Sequence, residues 1–196
     1  MRKIELFYNC KYFYKENVMT IISLGGNCAV TYQLVKRGLR DKAYPFDWCK
    51  VSMNQLISAL ENDFIGFDDV IIKKLSDMHL DKLERPTLLL TNRYKITFAH
   101  EILDELELKE FKNSLKRRIV RFRILKNPIF VRLETFSLND LTVYDRLLKI
   151  LDIWFVNYKF VLITKIRPDN PKIHWIQLDD YSSDWKYEDV VDWSFL

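Results

Sequence analysis

A cysteine follows two glycines near the start of the chain, where residues 23–28 read SLGGNC. Residues 20–24 form an apolar run of the length of a buried strand, and after the cysteine Val30 and Leu34 recur at helical spacing. Two glycines permit a tight turn with unusual backbone angles. The sequence therefore predicts a buried strand, a glycine turn and a helix that starts at Cys28.

This placement suits a thiol nucleophile. A helix N-terminus presents free backbone N–H groups and a partial positive charge, which favour the thiolate. The same N–H groups, with the side chain of Asn27 or Asn92, can stabilise the oxyanion formed when a carbonyl is attacked. In the alternative interpretation Cys28 is a small buried residue and the glycines only shape a turn.

A cysteine hydrolase also needs a base, and the chain has three histidines. His79 lies in a charged stretch and is predicted to be a surface residue. His100 ends an alternating, strand-like run, and His174 begins a late strand. A strand end can hold an imidazole at the rim of a sheet. Local sequence favours His100 over His174, and either can instead be structural.

Two charged residues stand among apolar ones. Asp47 lies in the aromatic turn of residues 44–48. It either caps a turn or the following helix, or it has a functional role and orients a histidine or lines the substrate pocket. Arg132 lies within an apolar strand. A charge there must find a carboxylate, Asp47 or Glu134, or face a cleft and bind an anionic group of the substrate.

The composition is that of one well-cored domain. The 196 residues are 48% hydrophobic, and we expect an extension over residues 1–19 and a single domain over residues 20–196. The net charge of +4 is mild. The basic cluster of residues 115–123 has apolar residues at helical spacing, which indicates the solvated face of an amphipathic helix and no nucleic-acid partner.

Several classes of protein are disfavoured by the sequence. It has no Walker loop, dinucleotide fingerprint, HExxH motif or zinc-ligand spacing among its three cysteines, so we expect no cofactor and no metal. No run reaches the ~20 apolar residues of a membrane span. The first 18 residues lack an apolar signal core. These features predict an intracellular, cytoplasmic protein with reduced thiols.

The remaining apolar patterns predict the other elements. Residues 63–85 are ambiguous and receive no assignment. Helix and strand alternate in the second half as in βαβ units, so the predicted fold is α/β, a single domain with a mostly parallel sheet flanked by helices. The predicted helices are 53–60, 108–125 and 141–155, and the predicted strands are 88–90, 95–100, 129–133, 160–166 and 173–178.

Residues 22–28, 34–40 and 44–48 together resemble the opening of the DUF1796 family of papain-like cysteine peptidases, found in bacteria and large DNA viruses. The resemblance continues at residues 92–100 and 129–132 and spans roughly residues 20–178. It implies a peptide or other acyl substrate, Cys28 as nucleophile and His100 as its base. Asp47 and Arg132 match family motifs without an assigned role. For a viral member it implies the host cytoplasm.

Three functional interpretations stay open at this point. Papain-like folds place the cysteine on a central helix and the histidine on an antiparallel sheet, so a papain-like α+β fold is the alternative to the predicted βαβ arrangement. Esterases of the SGNH type present their nucleophile after a strand and a turn, and take their base late in the chain, which here is His174. The third interpretation is a non-enzymatic binding protein that keeps the fold.

Overall fold

A computed structural model describes residues 19–80, 86–135, 140–182 and 184–196. The predicted N-terminal extension, apart from Met19, lies outside the described residues. The strands are β1 Ile21–Ser23, β2 Cys49–Lys50, β3 Ile71–Leu80, β4 Pro86–Thr91, β5 Thr97–Phe98, β6 Ile129–Leu133, β7 Lys159–Thr164 and β8 Ile173–Gln177. The helices are α1 Ala29–Lys36, α2 Met53–Glu61, α3 Leu108–Arg123 and α4 Thr142–Trp154.

A four-stranded parallel sheet with the order β1-β6-β7-β8 forms the centre of the fold. One face carries Phe130 and Leu162 and packs against α2, α3 and α4. The other face carries Val131 and Ile163 and packs against α1 and the C-terminal segment around Trp193. A sheet covered on both faces needs largely apolar strands, and β6 and β7 are apolar except for Arg132 in β6 and for Lys159 and Thr164 at the ends of β7. The predicted α/β class with a parallel sheet is confirmed.

A second, antiparallel sheet lies in the chain between α1 and α3. Its strand order is β2-β5-β4-β3, with Cys49 opposite Phe98 and Leu90 also opposite Phe98. Strands β4 and β5, which match the predicted strands 88–90 and 95–100 in position, pair as an antiparallel hairpin. Strand β3 occupies the stretch that the sequence left unassigned, and the backbone of His79 lies within it. His100 therefore follows β5 of the antiparallel sheet, whereas Cys28 follows β1 of the parallel sheet.

Helices begin and end close to where the apolar spacing predicts them. At α2 the Ser52 hydroxyl accepts a hydrogen bond from the Gln55 amide, and the Gln55 side chain accepts one from the Ser52 amide. This capping box satisfies two backbone donors at the helix start. Among the described residues, none of the helices is both long enough and apolar enough to cross a membrane.

Candidate active site

The glycine turn after β1 is fixed by backbone geometry. Gly25 and Gly26 have φ values of 73° and 95°, which side-chain-bearing residues rarely adopt. The Gly25 amide donates to the Ser23 hydroxyl at 3.1 Å. A Cβ on Gly26 would lie 2.0 Å from the carbonyl oxygen of Leu133. The turn is therefore pressed against the end of β6, and only glycine fits at position 26.

Cys28 stands at the start of α1, as the sequence predicts. Its carbonyl oxygen accepts the amide of Tyr32 at 2.9 Å, the first hydrogen bond of the helix. The side-chain oxygen of Asn27 accepts the amide of Ala29 at 2.9 Å. Asn27 therefore satisfies the first amide of α1, for which Cys28 is the N-cap residue. Cys28 as a residue is partly exposed.

The pKa of Cys28 differs from the sequence expectation. Burial, followed by the negative charge of Glu101, raises the pKa of the Cys28 thiol to about 12. A helix N-terminus favours the thiolate, but desolvation and a nearby carboxylate oppose it and here outweigh it. The expectation of a depressed thiol pKa is wrong for this arrangement. At neutral pH the thiol is protonated, so attack on a carbonyl requires a group that removes its proton.

Glu101 belongs to an ion pair that the sequence did not reveal. Its two carboxylate oxygens accept hydrogen bonds from Arg118 of α3 at 2.7 and 2.9 Å. Arg118 was expected on a solvated helix face, and this is wrong, because the residue is 8% exposed. The helical spacing could have predicted this burial, because Arg118 lies on the same helix face as the apolar residues Leu115 and Phe122.

His100 lies beside the aromatic turn that precedes β2. Its imidazole meets the ring of Trp48 edge-to-face, with 6.5 Å between ring centroids and 72° between planes. The pairing of β2 with β5 brings the two residues together, because each stands just outside the paired segments. His100 is exposed and directly precedes Glu101, the residue whose charge acts on Cys28.

Asp47 ties the aromatic turn to α1. One carboxylate oxygen accepts the hydroxyl of Thr31 at 3.3 Å. The other accepts the side chain of Arg40 and the amide of Tyr44, both at 2.9 Å. Burial raises the pKa of Asp47, although Arg40 and the Tyr44 amide act against this. The carboxylate anchors the turn that carries Trp48, the residue whose ring meets His100.

Arg132 is fully buried in β6, with 0% exposure. It donates to the carbonyl oxygens of Leu24 at 2.8 Å and Val51 at 3.0 Å, and it pairs with Glu134 at 2.8 Å. Of the two carboxylates expected as partners of Arg132, the structure pairs it with Glu134 and not with Asp47. Because Arg132 is fully buried, it has no exposed surface to bind an anionic group of a substrate. It fixes the carbonyl group that immediately precedes the glycine turn.

Asn92 closes the β4–β5 hairpin. Its side chain donates to the carbonyl of Phe67 at 3.1 Å and accepts the amides of Tyr94 at 3.0 Å and Ile96 at 3.2 Å. Asn92 as a whole residue is 5% exposed. An oxyanion-stabilising role for Asn92 gains no support from these contacts.

His174 lies on the far edge strand of the parallel sheet. In register it faces Val161, which faces Val131, which faces Ser23, so three strand spacings separate it from β1. At ~4.8 Å per spacing this is about 14 Å from Ser23. His174 is also the second residue of β8, whereas Cys28 lies beyond the C-terminal end of β1. Asp47 contacts Thr31 of α1 and His100 directly precedes Glu101, whereas His174 lies on the far edge strand of the parallel sheet.

No group of three or more metal-ligating side chains occurs within the part of the chain that the structure describes. The catalytic candidates are the Cys28 thiol at the start of α1, the His100 imidazole after β5, and the ion pair of Glu101 with Arg118 of α3.

These features define an α/β protein with a cysteine at a strand–glycine turn–helix junction. The chain belongs to the DUF1796 family, described as "Putative papain-like cysteine peptidase", whose model matches residues 19–143. It is also 27% identical, over 148 residues, to the uncharacterized protein R408 of Acanthamoeba polyphaga mimivirus. That match covers 64% of this chain and 66% of the viral protein, so the chain spans just under two thirds of that relative. The family resemblance seen in the sequence is confirmed.

Proposed function

We propose that this protein is a cysteine hydrolase that cleaves a peptide, isopeptide or ester bond with Cys28 as nucleophile and His100 as base. The observation that carries the proposal is the placement of two elements: Cys28 stands at the start of α1, and the chain leaving β5 carries His100 and its neighbour Glu101, whose charge raises the pKa of the Cys28 thiol. A cysteine on a helix and a histidine after an antiparallel strand is the arrangement that the papain-like family name implies.

The raised pKa of Cys28 determines how the first step proceeds. The thiol is neutral at pH 7, so the His100 imidazole accepts the thiol proton as the sulfur attacks the acyl carbon. The carbonyl π electrons move to the oxygen, and a tetrahedral intermediate forms. The developing negative charge is stabilised by the positive end of the α1 dipole and by amides of its first turn other than that of Ala29, which donates to Asn27.

The intermediate then collapses. The imidazolium returns its proton to the leaving nitrogen or oxygen, and the acyl group stays on sulfur as a thioester. A water molecule gives a proton to His100 and attacks the thioester, which releases the carboxylic acid and restores the thiol. Asp47 and Trp48 are positioning residues in this scheme, because they hold the imidazole without touching the reacting atoms.

A reduced thiol is required throughout, which fits a protein that acts in the cytoplasm. We expect the substrate to be a peptide or other acyl compound, and we expect no nucleic-acid partner.

Acetylation by p-nitrophenyl acetate tests the proposal. We expect an early release of one nitrophenol per protein, with one acetyl group found by mass spectrometry on the peptide that contains Cys28. Cys28→Ala should lose both the early nitrophenol release and the acetylated peptide. Cys49→Ala should keep both, because Cys49 is fully buried. Equal release by wild type and Cys28→Ala would contradict the proposal and favour a non-enzymatic binding protein.

A further inference from the structure

The exposed side of α1 leads away from Cys28 in a single stripe. The helix buries Ala29, Val30, Thr31, Gln33 and Leu34. Cys28 and Tyr32 are half-exposed and Lys36 is exposed, and these three residues are spaced by four. Residues four apart lie one above the other on a helix. A group attached to the Cys28 sulfur and extending along α1 therefore meets Tyr32 next.

Tyr32 is half of an aromatic corner. The Trp185 ring, from the C-terminal segment, meets it edge-to-face at 5.2 Å and 70°. Trp185 is 49% exposed, an unusual amount of indole surface to leave in water. Gln33 fixes the segment to α1 by donating to the carbonyl of Lys186 at 3.2 Å. The corner is thus held rigidly beside the nucleophile.

A cation completes the corner. The ammonium of Lys186 lies 5.6 Å from the Tyr32 ring centroid and 5.9 Å from that of Trp185. Within the described part of the chain no carboxylate lies within ion-pair distance of this ammonium, although its charge helps to lower the pKa of Glu188. The nearby carboxylate of Glu188 is bonded to Lys36 at 2.6 Å and to Gln33 at 3.1 Å. Lys186 is therefore available to a carboxylate from outside.

The spacing defines which part of a substrate reaches the corner. Four residues of helix rise about 6 Å, and an extended peptide advances about 3.3 Å per residue. The second residue from the scissile bond thus lies level with Tyr32. We propose that Tyr32, Trp185 and Lys186 form a subsite that binds an aromatic, carboxylate-bearing group of the acyl substrate. The inference rests on the proposed function, since it assigns a substrate class to the same nucleophile.

Alkylating probes test the subsite without requiring hydrolysis. We would measure labelling of Cys28 by iodoacetamide, N-benzyl iodoacetamide, its 4-carboxybenzyl analogue and its 4-trimethylammoniobenzyl analogue. Each rate is divided by the rate of the same probe with free cysteine. We expect the highest normalised labelling rate with the carboxybenzyl probe. The normalised rate of the benzyl probe should exceed that of iodoacetamide by about fivefold, and the cationic probe should have the lowest rate of the three aromatic probes.

Two variants distinguish the contribution of the Trp185 ring from that of the Lys186 charge. Trp185→Ala should remove the advantage of all benzyl probes, and Lys186→Gln should remove only the preference for the carboxylate. The matched controls are Trp175→Ala and Lys159→Gln, on β8 and β7, which should keep the wild-type order. Equal normalised rates for all four probes on wild type, or a preference for the cationic probe, would overturn the subsite. Such a result would leave the acetylation of Cys28 untouched, so the two proposals fail separately.

Discussion

Glu101 and Arg118 form a two-pronged ion pair, with hydrogen bonds of 2.7 and 2.9 Å, between the segment after β5 and helix α3. The side chains of Arg118 and Glu101 are only 9% and 11% exposed. The pair fixes the backbone next to His100 and holds a negative charge near the Cys28 thiol, whose pKa it helps to raise.

We predict that Glu101→Gln makes Cys28 more reactive. Removing the carboxylate removes a charge that disfavours the thiolate and leaves the positive charge of Arg118 uncompensated, so the thiol pKa falls. Since each pKa unit changes the thiolate fraction tenfold, iodoacetamide labelling at pH 8 should rise about 3- to 10-fold. The measurement is the labelling rate of the Cys28 peptide by mass spectrometry.

The matched control for this change is Glu110→Gln. Glu110 also pairs with an arginine of α3, Arg117, at 2.7 Å, but it is exposed. Its replacement should leave the Cys28 labelling rate unchanged. An unchanged or slower rate in Glu101→Gln, with the protein folded, would mean that the Glu101 charge does not act on the thiol.

Gly26→Ala should destabilise the protein by about 2 to 4 kcal/mol. The new Cβ would lie 2.0 Å from a backbone oxygen that cannot move away easily, and φ is 95°. Gly38→Ala is the control, because Gly38 also has a positive φ of 68° but no atom within 4 Å of the added Cβ. It should cost about 1 kcal/mol. Urea unfolding gives both values, and equal losses would show that the close approach to β6 is unimportant.

Arg132→Met should cost about 3 to 5 kcal/mol in free energy of unfolding, because it leaves the buried Glu134 carboxylate without its partner. The double variant Arg132→Met/Glu134→Met removes both charges and should recover part of the loss. Chemical denaturation of the single and double variants checks this. A double variant less stable than the single would show that the ion pair itself is not the source of the cost.

Asp47→Ala should lower the free energy of unfolding by about 1 to 2 kcal/mol and should also slow Cys28 acetylation. The change removes the acceptor of three hydrogen bonds, but relief of carboxylate burial offsets part of the cost. Asp41→Ala, at an exposed position of the same loop, should stay within about 0.5 kcal/mol of wild type. A thermal melt identical to wild type, combined with lost acetylation, would instead make Asp47 a direct participant in catalysis.

The elements with strong apolar spacing were the predictable part of the fold. Strand β6 has the predicted bounds, and α3, α4, β7 and β8 differ from prediction by one to two residues at their ends. The glycine turn was also predictable, because few sequences other than a strand–turn–helix place paired glycines between an apolar run and helical spacing. Strand β3 was missed, since its residues 73–79 mix charged and apolar side chains without a clear period.

The contacts within the site were only partly predictable. The aromatic turn was recognised, and Asp47 does anchor it. The partners of Arg132 and the ion pair of Arg118 with Glu101 depend on which elements meet in three dimensions. The raised pKa of the Cys28 thiol also depends on three-dimensional packing, because it results from burial and from the charge of Glu101. A helix N-terminus predicted from sequence indicates neither of these.

The dependence of Cys28 acetylation on pH most directly tests the pairing of Cys28 with His100. With a thiol pKa near 12, wild-type acetylation at pH 6 to 9 must depend on a base, and the rate should rise as an imidazole deprotonates, ordinarily near ~6.5. His100→Ala should lower the rate at pH 7.5 by about 100-fold or more and leave a rate that rises only in strong alkali. His174→Ala should keep the wild-type profile. A wild-type profile in His100→Ala, or its loss in His174→Ala alone, would contradict the account and favour the esterase-like pairing.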